Sequence, residues 1–384
     1  MITMKQSILL FTAIATLLLS ASILKAQTNE YKAADSNIVW VGRVTADDGG
    51  NVSGDWSGIY ARLRFTGDGL SVKVSDSKKN YYNLWLDKET WREPDKIVTV
   101  TGKDTTIVLL SKEEISAICG KKNAKPTVTH QITLQKRTEG EQGLTTFHSF
   151  SVNGTLLPAD AVRPRVIEFV GDSYTCGYGS ENSVKTDPFK PETENCNKSY
   201  CNIVARYFDA ECVLVAHSGF GIARNYNDNV KGWYMPERYS QLYDMDRESR
   251  WDAAACPVKP NITVIYLCTN DFSTDRQPSE SMFKKNYITL IGKIKEAYGE
   301  GHPVLCVAGK NDFLMASYIR EVVADCGFGN VSFAVLAPNV HNSESDLGAS
   351  FHPNYQGHIK KAYNIIPYVA TMTGWDITPE KPIR

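Results

Sequence analysis

The stretch VIEFVGDSYTCGYG, Val166 to Gly179, reads as a strand running directly into a tight turn that presents one serine. Val166, Ile167, Phe169 and Val170 give it the β-branched and aromatic content of a strand buried on both faces of a parallel sheet. In open α/β sheets, ligands bind in the crevice beyond the carboxyl ends of the strands, which is where Gly171-Asp172-Ser173 would place Ser173. Taken alone, the same turn could equally be the N-cap of a following helix.

Three downstream segments favour chemistry. Ala216-His217-Ser218-Gly219-Phe220-Gly221 follows the apolar run Cys212 to Val215, and its glycines let backbone N–H groups approach a bound oxygen. Cys268-Thr269-Asn270-Asp271 follows Ile262 to Leu267, and Ser350-Phe351-His352-Pro353-Asn354 stands near the C-terminus. Apolar runs at 166–170, 212–215, 262–267, 304–308 and 331–336 alternate with helical patterns at Ser199–Phe208, Ser281–Tyr298, Met315–Cys326 and Tyr355–Met372. That alternation predicts a three-layer α/β domain over 166–384 with a largely parallel sheet.

In content, order and spacing these segments resemble blocks I, II, III and V of the SGNH (GDSL-type) hydrolases. Within that superfamily the chain is similar to carbohydrate esterase family 2, with its closest points at GDSYTCGYG, SGFGIARNY (218–226) and FHPN. The resemblance implies a flavodoxin-like hydrolase domain preceded by a β-sandwich, and removal of O-acetyl groups from plant polysaccharides such as xylan or glucomannan. The residues support the sandwich independently. Short strand-like segments at Ile59–Phe65, Leu70–Val74, Tyr81–Leu86, Ile97–Val100, Thr105–Leu109 and His130–Gln135 are separated by turns rich in Gly, Asp, Asn and Ser. Their spacing predicts an antiparallel jelly-roll sandwich over 30–157, with Asn153-Gly154 as a turn and 158–165 as the linker.

Ester cleavage assigns the roles. Ser173 is the nucleophile and needs a base, for which His352 is the candidate ahead of His341 and His217. The oxyanion hole would comprise the Ser173 and Gly219 N–H groups and the Asn270 side chain, with Gly221 as the alternative to Gly219. Asn270-Asp271 could instead be a plain strand-end turn. Asp172 orders its turn, and Asp271 has no evident catalytic part. Many SGNH hydrolases place an acid three or two residues before the histidine, but here those positions are Ala349 and Ser350, and Asp346 is six residues away. The histidine could therefore be oriented by Asp346, by Ser350 or by a backbone carbonyl, the last two giving a Ser-His dyad. Block III also departs from the pattern, with Cys268 in place of the usual glycine. Among Tyr178, Tyr226, Trp233 and Tyr234, Tyr226 is the first choice for a ring that stacks on sugar. Other readings are a secreted lipase or thioesterase, or a decayed esterase that only binds glycan.

The N-terminus carries Lys5, an apolar run from Ile8 to Leu19 and then small residues, the pattern of a signal peptide over 1–26. The run falls short of the ~20 residues a membrane span needs, so the expectation is a secreted or periplasmic protein without a membrane partner. With 42 basic and 43 acidic residues the net charge is −1, which argues against nucleic acid as a partner. Nine cysteines leave at least one unpaired within the chain; Cys196 and Cys201 are the candidate bridge, while Cys212, Cys268 and Cys306 read as core. No zinc-spaced cysteine or histidine pattern occurs, and the chemistry calls for no metal or cofactor. Oligomeric state is not legible.

Overall fold

The computed structural model describes residues 28–384 apart from 126, 229, 310–312, 338, 339, 341 and 379, so the signal segment over 1–26 and His341 lie outside the described residues. The N-terminal half holds ten strands: β1 (Thr28–Lys32), β2 (Val39–Val41), β3 (Thr45–Ala46), β4 (Val52–Gly54), β5 (Tyr60–Asp76), β6 (Lys79–Leu86), β7 (Lys96–Thr101), β8 (Thr105–Leu110), β9 (Thr129–Lys136) and β10 (Thr145–Leu157). All pair antiparallel around an apolar core that includes Leu63, Phe65, Val72, Leu84, Ile132 and Phe150. The two segments expected at 59–65 and 70–74 are one strand, β5. It pairs with β9 through residues 60–66, with β8 through residues 70–74, and with β10 along most of its length, so this one strand links the two ends of the ten-stranded sheet. Asn153-Gly154 is correspondingly not a turn. Gly154 lies opposite Gly67 in the β10–β5 ladder, and a Cβ on it would stand 1.9 Å from the Thr66 carbonyl oxygen. Turn-type residues sit here because two paired strands bend at one point, which side chains would obstruct. A short helix, α1 (Lys112–Cys119), is capped by Ser111 and Glu114 in a capping box.

The second half contains β11 (Val166–Gly171), β12 (Glu211–Ala216), β13 (Ile262–Tyr266), β14 (Val304–Ala308) and β15 (Val331–Val335). They form a parallel sheet in the order β12-β11-β13-β14-β15, with every residue of the first four strands buried. A four-residue helix, α2 (Ser173–Cys176), follows β11. Helices α3 (Tyr200–Tyr207) and α7 (Tyr355–Thr373) cover one face; the short α4 (Met235–Arg238), α5 (Glu280–Tyr298) and α6 (Phe313–Asp325) lie against the other. Because β12, β11 and β13 are neighbours, the loops bearing blocks II, I and III leave the sheet side by side, at the point where strand order reverses. No helix among the described residues is long and apolar enough to cross a membrane.

Buried polar groups join the halves. Arg43 of the sandwich donates to the Tyr239 and Gln241 carbonyls, stacks on Trp251 at 3.8 Å and faces the fully buried Glu168 of β11 at 3.6 Å. Arg62 pairs with Glu211 at 3.0 Å, and the Asp55 carboxylate accepts the Asp244 and Met245 N–H groups at 2.8 and 3.0 Å. Arg137 donates to the Glu194 carbonyl and is paired with Glu181. The proposed Cys196–Cys201 bridge is absent; all nine cysteines are free thiols. Cys196 faces the sandwich, its Sγ 3.3 Å from the Lys136 carbonyl, whereas Cys201 points under α2, its Sγ 3.5 Å from the Thr175 carbonyl.

Candidate active site

Block I is built by close approach. A Cβ on Gly171 would sit 1.9 Å from the Thr175 Oγ1, so only glycine lets α2 begin at the very end of β11. Asp172 is the N-cap, its carboxylate accepting the Tyr174 N–H at 3.1 Å, and burial pushes its pKa up to about 7. Ser173 is therefore the first residue of α2, where a backbone N–H has no intrahelical acceptor.

The Nε2 of His352 stands 2.8 Å from the Ser173 Oγ, and its Nδ1 stands 3.0 Å from the Ser350 carbonyl oxygen. A carbonyl can only accept, so in the neutral ring Nδ1 carries the proton and the Nε2 lone pair faces the serine hydroxyl. That carbonyl is aimed by two consecutive left-handed residues, Ser350 at φ 52° and Phe351 at φ 61°. Such conformations cost on the order of 1–2 kcal/mol each outside glycine. Hydrogen bonds from the Ser350 and Phe351 N–H groups to the Asp187 and Lys185 carbonyls, both 2.9 Å, hold them. Asp346 is engaged elsewhere: its carboxylate pairs with Lys360 and accepts the Asn342 N–H. Of the three ways left open for orienting His352, the structure has the backbone carbonyl. The ring is fixed sideways by Tyr178, tilted against it at 4.3 Å and itself stacked on Phe189 at 4.0 Å, and by the edge of Tyr174 at 5.5 Å.

Block II presents Gly219 at φ 80°, where the nearest atom to an added Cβ would be 3.8 Å away; glycine is needed there for its backbone conformation, not for room. The Gly221 N–H donates to the Asn225 Oδ1 at 3.1 Å, which commits it and leaves Gly219 as the better donor to a ligand. Asp271 clamps this loop, accepting the Ile222, Ala223 and Arg224 N–H groups at 2.9, 2.7 and 2.9 Å; burial still lifts its pKa to about 6. Arg224 returns the contact, donating to the Asp271 and Ser273 carbonyls at 3.1 and 2.7 Å. Neither role was assigned from sequence. Cys268 keeps the backbone path expected of glycine, at φ 87°. Asn270 Nδ2 lies between blocks I and II, 2.8 Å from the Phe220 carbonyl and 3.4 Å from Asp172 Oδ2.

The remaining candidates separate cleanly. Buried His217 commits its Nδ1 to Asp244 at 2.7 Å, a structural contact; burial pulls its pKa down, but the Asp244 charge prevails and raises it. Trp233 is covered by the guanidinium groups of Arg238 and Arg247, 3.7 and 3.8 Å from its ring centre. Tyr178 serves His352, Tyr234 stands half-buried at the N-cap of α4, and Tyr226, 50% exposed and tied through its N–H to the Gly219 carbonyl at 2.7 Å, is the open ring beside block II. Phe351, exposed next to His352, went unnoticed in the sequence.

Burial pushes the His352 pKa down to about 4 against the pull of the Ser350 and Ala349 carbonyls, with the Lys361 charge lowering it further. A base must be unprotonated, so a lowered pKa extends the working range toward acid. The acid limb of kcat/KM is expected well below the ordinary histidine value of about 6.5; a limb at or above 6.5 in a pH–rate profile would contradict this environment. Stability should fall over the same window, from about 6.5 down to about 4, because there the unfolded chain takes up a proton at this residue and the folded one does not.

Residues 40–159 match the family described as carbohydrate esterase 2 N-terminal, and residues 169–359 match the GDSL-like lipase/acylhydrolase family. The chain is 30% identical over 344 residues to the cellulase/esterase CelE of Acetivibrio thermocellus, covering 88% of this chain but 40% of that one. It is 27% identical over 295 residues to an acetylxylan esterase/glucomannan deacetylase of Cellvibrio japonicus, covering 72% and 74%. The solved structure of a family two carbohydrate esterase from Clostridium thermocellum in complex with cellohexaose superposes with a TM-score of 0.78 at 29% identity, over 88% of this chain and all of that one.

Proposed function

Because the chain belongs to carbohydrate esterase family 2, with a GDSL-like hydrolase as its second half, we propose that it is an exported esterase that removes acetyl groups from plant polysaccharides through a Ser173–His352 dyad. The observation that carries the reading is the pair of contacts to the imidazole, 2.8 Å to the Ser173 Oγ and 3.0 Å to the Ser350 carbonyl, at the carboxyl end of the central strands. Ser173 attacks the acetyl carbonyl as His352 takes its proton. The developing oxyanion is received by the Ser173 and Gly219 N–H groups and the Asn270 side chain. The intermediate collapses as His352 returns the proton to the departing sugar oxygen; a water deprotonated by the same ring then releases acetate.

The substrate class rests on relatives named for acetylxylan and glucomannan and on the open Tyr226 ring. Acetate release from acetylated xylan and acetylated glucomannan, beside hydrolysis of 4-nitrophenyl acetate and 4-nitrophenyl palmitate, tests it. Acetate from a polymer with no palmitate cleavage is expected; absence of acetate release, or preference for palmitate, would overturn it. Tyr226→Ala should raise KM for the polymer about 5- to 30-fold, the equivalent of about 1–2 kcal/mol of lost ring burial, and affect 4-nitrophenyl acetate less.

A further inference from the structure

Glu139 belongs to the sandwich half, three residues beyond the end of β9, yet it reaches the hydrolase loop that carries Gly219. Its side chain is 1% exposed, and its Oε2 accepts the Ser218 N–H at 2.8 Å and lies 3.7 Å from the Cys176 Sγ at the end of α2. One acceptor from the other half thus touches the amide next to Gly219 and the helix that begins with Ser173.

Glu139 is itself held. Its N–H donates to the Glu194 Oε2 at 3.2 Å, the Lys136 ammonium binds its carbonyl and that of Thr138 at 2.9 and 2.7 Å, and the Arg137 guanidinium grips the Glu194 carbonyl at 2.9 Å. Lys136, Arg137, Thr138 and Glu139 are at most 1% exposed, so the whole segment is a plug set into the hydrolase. Burial, then the Glu139 charge, pushes the Glu194 pKa far up. The preceding residue is fixed from the sandwich as well: Asp55 accepts the Asp244 N–H, and Asp244 binds the His217 ring.

We infer that Glu139 is a positioning residue for the oxyanion hole: by accepting the Ser218 N–H it sets the peptide plane that aims the Gly219 N–H at the carbonyl oxygen. Peptide planes of adjacent residues are coupled through one pair of backbone dihedrals, so an unheld Ser218 amide lets the Gly219 amide turn, and glycine's freedom offers no resistance. Misplacement of about 1 Å in such a donor can cost up to about 100-fold in rate. The inference rests on the esterase reading above.

Glu139→Gln keeps an oxygen acceptor in the same volume; Glu139→Met keeps the volume and removes the acceptor. On 4-nitrophenyl acetate, Glu139→Met is expected to lower kcat about 10- to 100-fold with KM within about 3-fold, and to weaken inhibition by a boronic acid, which forms a tetrahedral adduct, by a similar factor. Glu139→Gln is expected to stay within about 3-fold of wild type in kcat. Thermal melts of all three proteins identify the folded fraction to which rates are normalised. The inference is overturned if folded Glu139→Met matches Glu139→Gln, if both lose activity only in step with their melting temperatures, or if neither folds. Ser173→Ala separates the two readings: if wild-type acetate release does not depend on Ser173, the esterase reading fails and this inference with it; if it does and Glu139→Met is unimpaired, this inference alone fails.

Discussion

Ser173→Ala and His352→Ala are each expected to lower kcat on 4-nitrophenyl acetate by about 10⁴- to 10⁶-fold, while Asp346→Asn leaves kcat of the folded protein within about 3-fold. The first two changes remove the two partners of the pair that would generate and deliver the alkoxide, the hydroxyl and the Nε2 at 2.8 Å. The third removes a carboxylate that, despite its place in sequence, is spent on Lys360 and the Asn342 N–H. Asp346 is 1% exposed, so its loss should appear as a lower melting temperature and not as a rate. Equal damage from all three substitutions would restore an acid to the mechanism.

Asn270→Ala should reduce kcat by about 10²- to 10³-fold, about 2.7–4 kcal/mol, with little change in KM. The side chain sits between Asp172 and the Phe220 carbonyl, bridging the nucleophile turn and the glycine loop, and one of its two amide hydrogens is only weakly held, at 3.4 Å. That hydrogen is the one available to an oxyanion. Asn270→Asp offers no donor when ionised and sets a second carboxylate beside Asp172; it is expected to be at least as slow. A loss below about 5-fold in steady-state kinetics of either variant would remove Asn270 from the hole.

The strands of the hydrolase half were legible because a parallel sheet covered on both faces needs continuous apolar runs, and each of the five predicted runs lies within two residues of a strand's bounds. The Ser173–His352 pairing is what the resemblance to the SGNH hydrolases implies, and the two side chains stand 2.8 Å apart. What resisted reading was information carried by backbone. The acceptor for His352 is a carbonyl aimed by Ser350 and Phe351 in left-handed conformations, and neither residue type announces one. The Gly67 and Gly154 pair misled for the opposite reason: glycine signals a special conformation without saying whether it is a turn or a bend shared by two strands. The helix at 112–119 was missed although Ser111 and Glu114 spell its capping box. Tyr178 stood among the four aromatics that could stack on sugar because an aromatic near a catalytic motif has two possible partners, and only three-dimensional proximity shows that the ring facing it is His352.

The buried ions along the seam also constrain how such a protein can be inherited. The connector at 158–165 looks like a natural crossover point for recombination. A chimera joined there must still match Arg43 to Glu168, Asp55 to the Asp244 amide, and Arg137 and Glu139 to their acceptors and donors in the other parent. A charge left unmatched in such a place costs about 3–5 kcal/mol, against a typical total stability of about 5–15 kcal/mol. Two unmatched sites suffice to consume most of that margin, so a chimera that exchanges one half alone is expected to melt well below either parent.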